Sequence, residues 1–276
     1  MKFRSPLSLI ALLALAVPTG CNRTPETSNE TDRTSDDRGM PMPQSGEAVK
    51  VSTGVDADAV EALKDMSGYL MSMKTAGIHS DGSLDVVTED GQRIQLDGTT
   101  DYKIRRPGFV IDYKSDIKNR RFIYDGKTFT VDSPTLGYYA SVAAPPTNRE
   151  VLDTIYNKFG IRLPLEDLFR WNDPGGLREQ SLKAGYFVGS ATIDGVKTDH
   201  YAFREEPVDW QVWIQQGEQP LPRKLVIVDK TDPARPTFTA RLDWRLNPTF
   251  SNADFAFAPG KDAKRIPIAT FKGSGE

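Results

Sequence analysis

Two Asp-Gly pairs, Asp125-Gly126 and Asp194-Gly195, each sit between runs in which apolar and polar residues alternate. Such a pair supplies the positive φ angles of a tight two-residue hairpin, and a period of two gives a strand one dry face and one wet face. The sequence is thereby committed to antiparallel β-structure. Pairing outward from the first turn sets Phe122 opposite Phe129 and Arg120 opposite Val131, so that Phe122, Tyr124, Phe129 and Val131 share a face. Pairing outward from the second sets Val188 opposite Tyr201 and Tyr186 opposite Phe203, with His200 opposite Gly189 on the other side. Each hairpin yields one apolar, aromatic face.

Other runs follow the same rule. Ile94, Leu96, Thr100, Tyr102 and Ile104 alternate with Arg93, Gln95, Asp97, Thr99, Asp101 and Lys103. Further strands are predicted over Val208–Ile214, Leu225–Val228, Phe238–Leu246 and Phe255–Phe257, giving roughly ten to twelve in all. Two helical segments interrupt them. After a cap at Asp56 or Asp58, Val60, Leu63, Met66, Leu70 and Met73 recur at helical spacing. Further on, Thr147-Asn148-Arg149-Glu150 forms a capping box, Val151, Ile155 and Phe159 follow on one face, and Gly160 ends the helix. Pro164–Trp171 is expected to add another turn or two of helix. The expected fold class is mainly β (α+β): a large curved antiparallel sheet or half-open barrel, with an N-terminal helix and a mid-chain helical insertion on one side. A face this aromatic must be covered or closed, and helices lying over it would leave an apolar cavity. Phe122, Tyr124, Phe129, Val131, Tyr186, Val188, Tyr201 and Phe203 are its candidate lining.

The N-terminus reads differently. Met1–Ser5 is basic, Leu7–Val17 is apolar apart from Ser8, and Thr19-Gly20 precede the only cysteine of the 276-residue chain, Cys21. Eleven apolar residues fall short of the roughly 20 that span a bilayer, so the layout is that of a cleaved signal peptide. Val17-Pro18-Thr19-Gly20-Cys21 resembles a lipobox, although Pro18 stands where an aliphatic residue is usual; that resemblance implies a diacylglycerol on the Cys21 sulfur. From Asn22 to Ala48 the apolar residues are Met40, Met42 and Ala48 alone. Such a stretch cannot bury enough surface to fold, and as a coil it reaches roughly 30 Å. The expected organisation is a signal peptide over 1–20, an acylated cysteine and polar tether over 21–55, a β domain over 56–268 and a flexible tail over 269–276.

Little in the sequence suggests catalysis. There are two histidines, His79 and His200, and no His-Glu-x-x-His, Gly-x-Ser-x-Gly, phosphate-binding glycine loop or calcium loop. A lone cysteine rules out an intrachain disulfide and a zinc site built on paired cysteines. The five Asp-Gly pairs, at Asp81, Asp90, Asp97, Asp125 and Asp194, read as turn or bulge formers. Trp210 and Trp213 have opposite parity and point to opposite faces of a regular strand. The basic pairs Arg105-Arg106, Arg120-Arg121 and Arg223-Lys224 read as solvated charge. Removing residues 1–20, which carry Lys2 and Arg4, takes the net charge from −3 to −5, so nucleic acid is not an expected partner. No catalytic residue, metal site or cofactor is expected.

Five separated blocks appear in order: Arg105-Arg106-Pro107, Phe122–Thr128, Ile161–Leu168, Asp209–Ile214 and Pro220–Ile227. With them the chain resembles, from about Asp56 to Ile266, a bacterial family of predicted periplasmic proteins (domain of unknown function 2092). That family resembles the LolA/LolB-like lipoprotein-carrier fold, a half-open barrel whose concave apolar face is lidded by helices. The resemblance implies a non-enzymatic domain in the cell envelope that binds an acyl chain or a lipoprotein. It would face the periplasm and be anchored to the membrane through Cys21. Asn22, by the enteric sorting rule, implies the outer rather than the inner membrane. The alternatives are a protein-interaction or envelope-stress sensing module with a self-filled core and, more distantly, a hydrolase.

Overall fold

The computed structural model describes residues 53–166, 170 and 179–270. The expected signal peptide, Cys21, most of the expected tether, residues 167–169 and 171–178 with Trp171 among them, and the last six residues lie outside the described residues. Among the described residues the chain forms α1 (Ala57–Ser72), then β1 (Thr75–Val87), β2 (Arg93–Arg105), β3 (Phe109–Ser115), β4 (Asn119–Tyr124), β5 (Thr128–Ser133) and β6 (Tyr138–Ala143). The helix α2 (Asn148–Phe159) precedes β7 (Ala184–Ile193), β8 (Val196–Arg204), β9 (Val208–Gln215), β10 (Pro222–Asp229), β11 (Thr237–Leu246) and the short β12 (Lys264–Arg265). No helix among the described residues is long and apolar enough to cross a membrane.

The twelve strands make one curved, unclosed sheet in the order β12-β6-β5-β4-β3-β2-β1-β11-β10-β9-β8-β7. Two meanders are joined along β1 and β11, where Ile78 faces Trp244 and Ser80 faces Leu242. Pairing is antiparallel except at β12, which lies parallel to β6 and makes the sheet mixed. β1 has no clean alternation in the sequence, because Ser80, Asp81, Gly82 and Ser83 interrupt its apolar positions. Gly82 and Gly98 pair directly across β1 and β2, so two of the Asp-Gly pairs sit mid-strand and not in turns. A side chain there would collide with neighbouring backbone: a Cβ on Gly98 would lie 2.6 Å from the Lys114 carbonyl oxygen.

Strand parity follows the sequence except beyond a bulge in β7, and register departs from it in both hairpins. Phe122 pairs with Val131 and Tyr124 with Phe129, two residues away from the two-residue-turn register. The Asp125 carboxylate accepts hydrogen bonds from the Lys127 and Thr128 amides (2.8 and 2.7 Å). That Asx turn leaves Asp125–Thr128 between the last paired residues, Tyr124 and Phe129. In the second hairpin Gly189 faces His200 as expected, but a bulge between Phe187 and Gly189 then shifts the register. Phe187, not Val188, pairs with Tyr201, and Gly185, not Tyr186, pairs with Phe203. Such a bulge moves one residue out of the ladder and flips those beyond it. The expected strand at Phe255–Phe257 is replaced by a 3-10 turn over Asn252–Phe255. Phe255 there caps Val110 and Ile123 on the convex face.

Both helices and the segment after α2 pack on the concave face. α1 buries Ala59, Val60, Leu63, Met66 and Leu70, and Met71 remains exposed. Burying each of the larger side chains contributes about 1.5–3 kcal/mol. Asp56 occupies the N-cap of α1 without a side-chain cap bond. α2 begins as the capping motif specifies, with the Glu150 amide donating to Thr147 Oγ1 (3.2 Å). It ends at Gly160, whose φ of 66° places it in the left-handed region, its amide bonded to the Ile155 and Tyr156 carbonyls. Val151, Leu152 and Ile155 are buried beneath it.

Candidate functional site

Two small cavities lie between the concave face and its cover, separated by Leu163 and Pro164. The first, about 80 Å³, is bounded by Ser80, Leu84, Leu96, Thr100 and Phe122 of the sheet and by Leu165 of the cover. The second, about 140 Å³, is bounded by Ile104, Phe109 and Ile111 of β2 and β3, by Met71 of α1 and by Leu152 of α2. Tyr102, Leu163 and Pro164 belong to both walls. Tyr102 donates from its hydroxyl to the Pro164 carbonyl (3.3 Å), and burial pushes its hydroxyl pKa up.

The cover is held by a polar core of its own. Glu166, 5% exposed, accepts from the Leu163 amide (3.0 Å) and lies 3.9 Å from Arg162 and 3.8 Å from Arg170. Burial raises its carboxyl pKa, against the pull of that amide and of the two arginines. Arg170 also pairs with Asp153 of α2. Leu165 takes φ 56°, a conformation that costs a non-glycine residue of order 1–3 kcal/mol. A regular helix therefore does not begin at Pro164. A third hollow, about 590 Å³, lies on the convex face among Asp81, Asp97, Lys114, Asp116 and Arg241. It is a charged surface groove and offers no enclosed apolar volume.

The eight residues expected to line a cavity fall into two groups that the sheet holds apart. Phe122 borders the smaller cavity. Tyr124 and Phe129 are fully buried. Phe109 packs on both, at 5.4 and 6.4 Å between ring centroids, and Val131 packs against the same cluster. At the other end, on β8, seven places from β4 in the sheet order, Phe203 stacks on Trp210 at 4.3 Å and on Tyr201 at 6.4 Å. Tyr186 pairs with Ala202, on the face opposite Phe203, and Val188 sits in the bulge. Cys21 lies outside the described residues. Leu96, Thr100, Tyr102, Ile104 and Phe122, which bound the cavities, lie in alternating runs, but Leu163, Pro164, Arg106 and Leu152 carry no periodic signal that marks them as a site. Arg106, Leu163 and Pro164 fall in blocks recognisable only as resemblance, and Leu152 falls in none of them.

The histidines are remote from this face. His79, on the convex side of β1, bonds Asp101 (2.6 Å) and lies 3.5 Å from Asp81; the Asp101 bond raises its pKa. His200 stacks on Trp213 at 3.9 Å and bonds Gln211 (3.0 Å), and burial lowers its pKa. Trp210 and Trp213 do point to opposite faces, and both are buried, Trp213 beneath His200 and Lys224. Among the described residues no group of three or more His, Cys, Asp or Glu side chains could hold a metal ion.

Comparison with known proteins adds the following. A family model described as predicted periplasmic protein (DUF2092) matches residues 59–269. Among solved structures, the chain is similar to an uncharacterized conserved protein from Thermus thermophilus, at 9% identity over 76% of this chain and 99% of that one (TM-score 0.44). It is also similar to the Mycobacterium tuberculosis lipoprotein LppX, at 10% identity over 71% and 98% (0.44). A LolA superfamily protein from Nitrosomonas europaea aligns at 8% identity over 72% and 97% (0.33). Among curated proteins, none matches this sequence.

Proposed function

The chain belongs to the DUF2092 family of predicted periplasmic proteins, and from that premise we propose that it is an exported, non-enzymatic lipoprotein that binds an acyl chain or a lipoprotein. The observation that supports this reading is the pair of apolar cavities on the concave face, meeting at Leu163-Pro164. A cavity of about 140 Å³ is close in size to an engineered apolar cavity that takes up benzene. It therefore accepts a ring or a short methylene run as it stands, and a longer chain requires Leu163-Pro164 to move and join the two spaces. The leader and Cys21 supply the rest of the proposal: diacylglycerol on the Cys21 sulfur and a periplasm-facing domain on a polar tether. By the enteric sorting rule, Asn22 after the cysteine favours the outer membrane over the inner for that anchor.

Native mass spectrometry and lipid extraction of the full chain test the proposal. Retained acyl-chain mass on the wild type is expected; a clean apoprotein that also ignores an added hydrophobic dye removes the carrier reading. A second reading, a partner-docking module with a self-filled core, is favoured by one observation. Tyr124 and Phe129 are fully buried and line neither cavity. On that reading the two cavities are packing gaps and stay empty in the same experiment.

A further inference from the structure

The larger concave cavity is apolar on most of its wall and cationic at its rim. Arg106, Arg149 and Arg170 all border it, against one carboxylate, Glu166. Arg170 is neutralised by Asp153 and Glu166. Arg106 is different. Its Nη2 reaches only the Leu70 carbonyl oxygen (3.4 Å) and the Met71 sulfur (3.5 Å), and its Nε is buried with no hydrogen bond. Among the described residues no carboxylate pairs with it, and burial alone pulls its pKa down. A partly desolvated guanidinium without a counter-charge is unfavourable unless something supplies the missing anion. Five fixed donors suit it to a carboxylate or a phosphate.

We infer that this cavity takes the head end of an anionic single-chain amphiphile, its carboxylate or phosphate head on Arg106, its tail against Ile104, Phe109, Ile111 and Leu152 and, where Leu163-Pro164 moves, on into the smaller cavity. This rests on the acyl-binding reading and adds to it the charge of the ligand's head. The tail lies where the wall is carbon, and the head lies at the rim where Arg149 is exposed to solvent. A neutral lipid of the same length would fill the same space and leave Arg106 unpaired.

The test is calorimetric titration of the full chain carrying Cys21→Ser, which keeps acylation out of the assay. The probes are decanoate, decyl phosphate, decanol and decyltrimethylammonium, each below its micelle concentration. Because hydrogen bonds to charged groups outweigh neutral ones, decanoate or decyl phosphate is expected to bind about tenfold more tightly than decanol. Raising the salt should shrink that ratio, and the cationic probe should bind weakest. Whichever anion binds better identifies the head as carboxylate or phosphate. Arg106→Gln is expected to bring the anion-to-alcohol ratio near one, and Arg106→Lys to retain most of it. If anion and alcohol bind equally to the wild type, or the cation binds as well as the anion, the head assignment is wrong although the cavity still takes chains. A ratio that survives in a folded Arg106→Gln protein, checked by near-UV circular dichroism, also refutes it. If no probe binds, the acyl-binding reading fails and this inference with it. Should Arg106→Gln not fold, the wild-type comparison, its salt dependence and Arg106→Lys still decide.

Discussion

Gly82 of β1 and Gly98 of β2 are direct cross-strand partners in the middle of two thirteen-residue strands. Together they let the flanking strands close in where the sheet curves around its cover. A Cβ on Gly98 would meet the Lys114 carbonyl oxygen at 2.6 Å, and one on Gly82 would meet the Thr239 carbonyl oxygen at 3.0 Å. Both obstacles are backbone and cannot swing aside. Gly98→Ala is therefore expected to destabilise the domain by about 1–3 kcal/mol, the range for overpacking, and Gly82→Ala by less. Gly68, in the exposed middle of α1 with nothing near its missing Cβ, is the control. Gly68→Ala should stabilise by about 0.5–1 kcal/mol. Guanidinium melts measure all three, and a neutral Gly98→Ala would contradict the close approach.

Phe129 gives the second prediction. It is fully buried among Phe109 and Phe122, with ring centroids at 6.4 and 6.5 Å. Removing its ring leaves a hole in packed material, so Phe129→Ala should cost about 3–5 kcal/mol. A loss below about 1 kcal/mol, against that range, would mean that the aromatic end of the sheet already contains ligand space.

The two histidines should titrate on opposite sides of 6.5. The hydrogen bond to Asp101 raises the pKa of His79, and burial lowers that of His200. For His79 the folded value exceeds the unfolded one. Its stabilisation is therefore complete below pH 6.5 and is lost as the pH rises through the raised folded value. For His200 the sign reverses: stability is lost as the pH falls from 6.5 through its lowered folded value. Both members of the His79–Asp101 pair are about half exposed, so the linkage is worth only a few tenths of a kcal/mol. The measurement is NMR titration of the ring protons. Asp101→Asn should lower the His79 midpoint and leave His200 in place; the reverse order of midpoints would overturn the assignment.

Anchoring yields the fourth. Cys21→Ser is expected to abolish incorporation of labelled palmitate and move the protein from the membrane to the soluble fraction. Wild-type protein that carries no palmitate and is processed in the presence of globomycin would show an ordinary secretory signal.

The sequence by itself determined the parity of the unbulged strands, the limits of α2 and the antiparallel sense of each hairpin. These depend on neighbours two to four residues away. Phe122, Tyr124, Phe129 and Val131 share a face because alternation permits nothing else, and Thr147 and Gly160 bound α2 through bonds to its own backbone. Tertiary structure decided what depends on partners distant in the chain. The Asp125 carboxylate lengthened its turn and shifted a register, and a bulge at Val188 turned Tyr186 to the other face. Phe255 was drawn out of strand geometry to cover Val110 and Ile123, on strands more than a hundred residues earlier. Arg106 was one of a basic pair that read as solvated until α1, β2 and α2 enclosed it beside a cavity. Burial and desolvation are properties of the surroundings, and no window of sequence contains them.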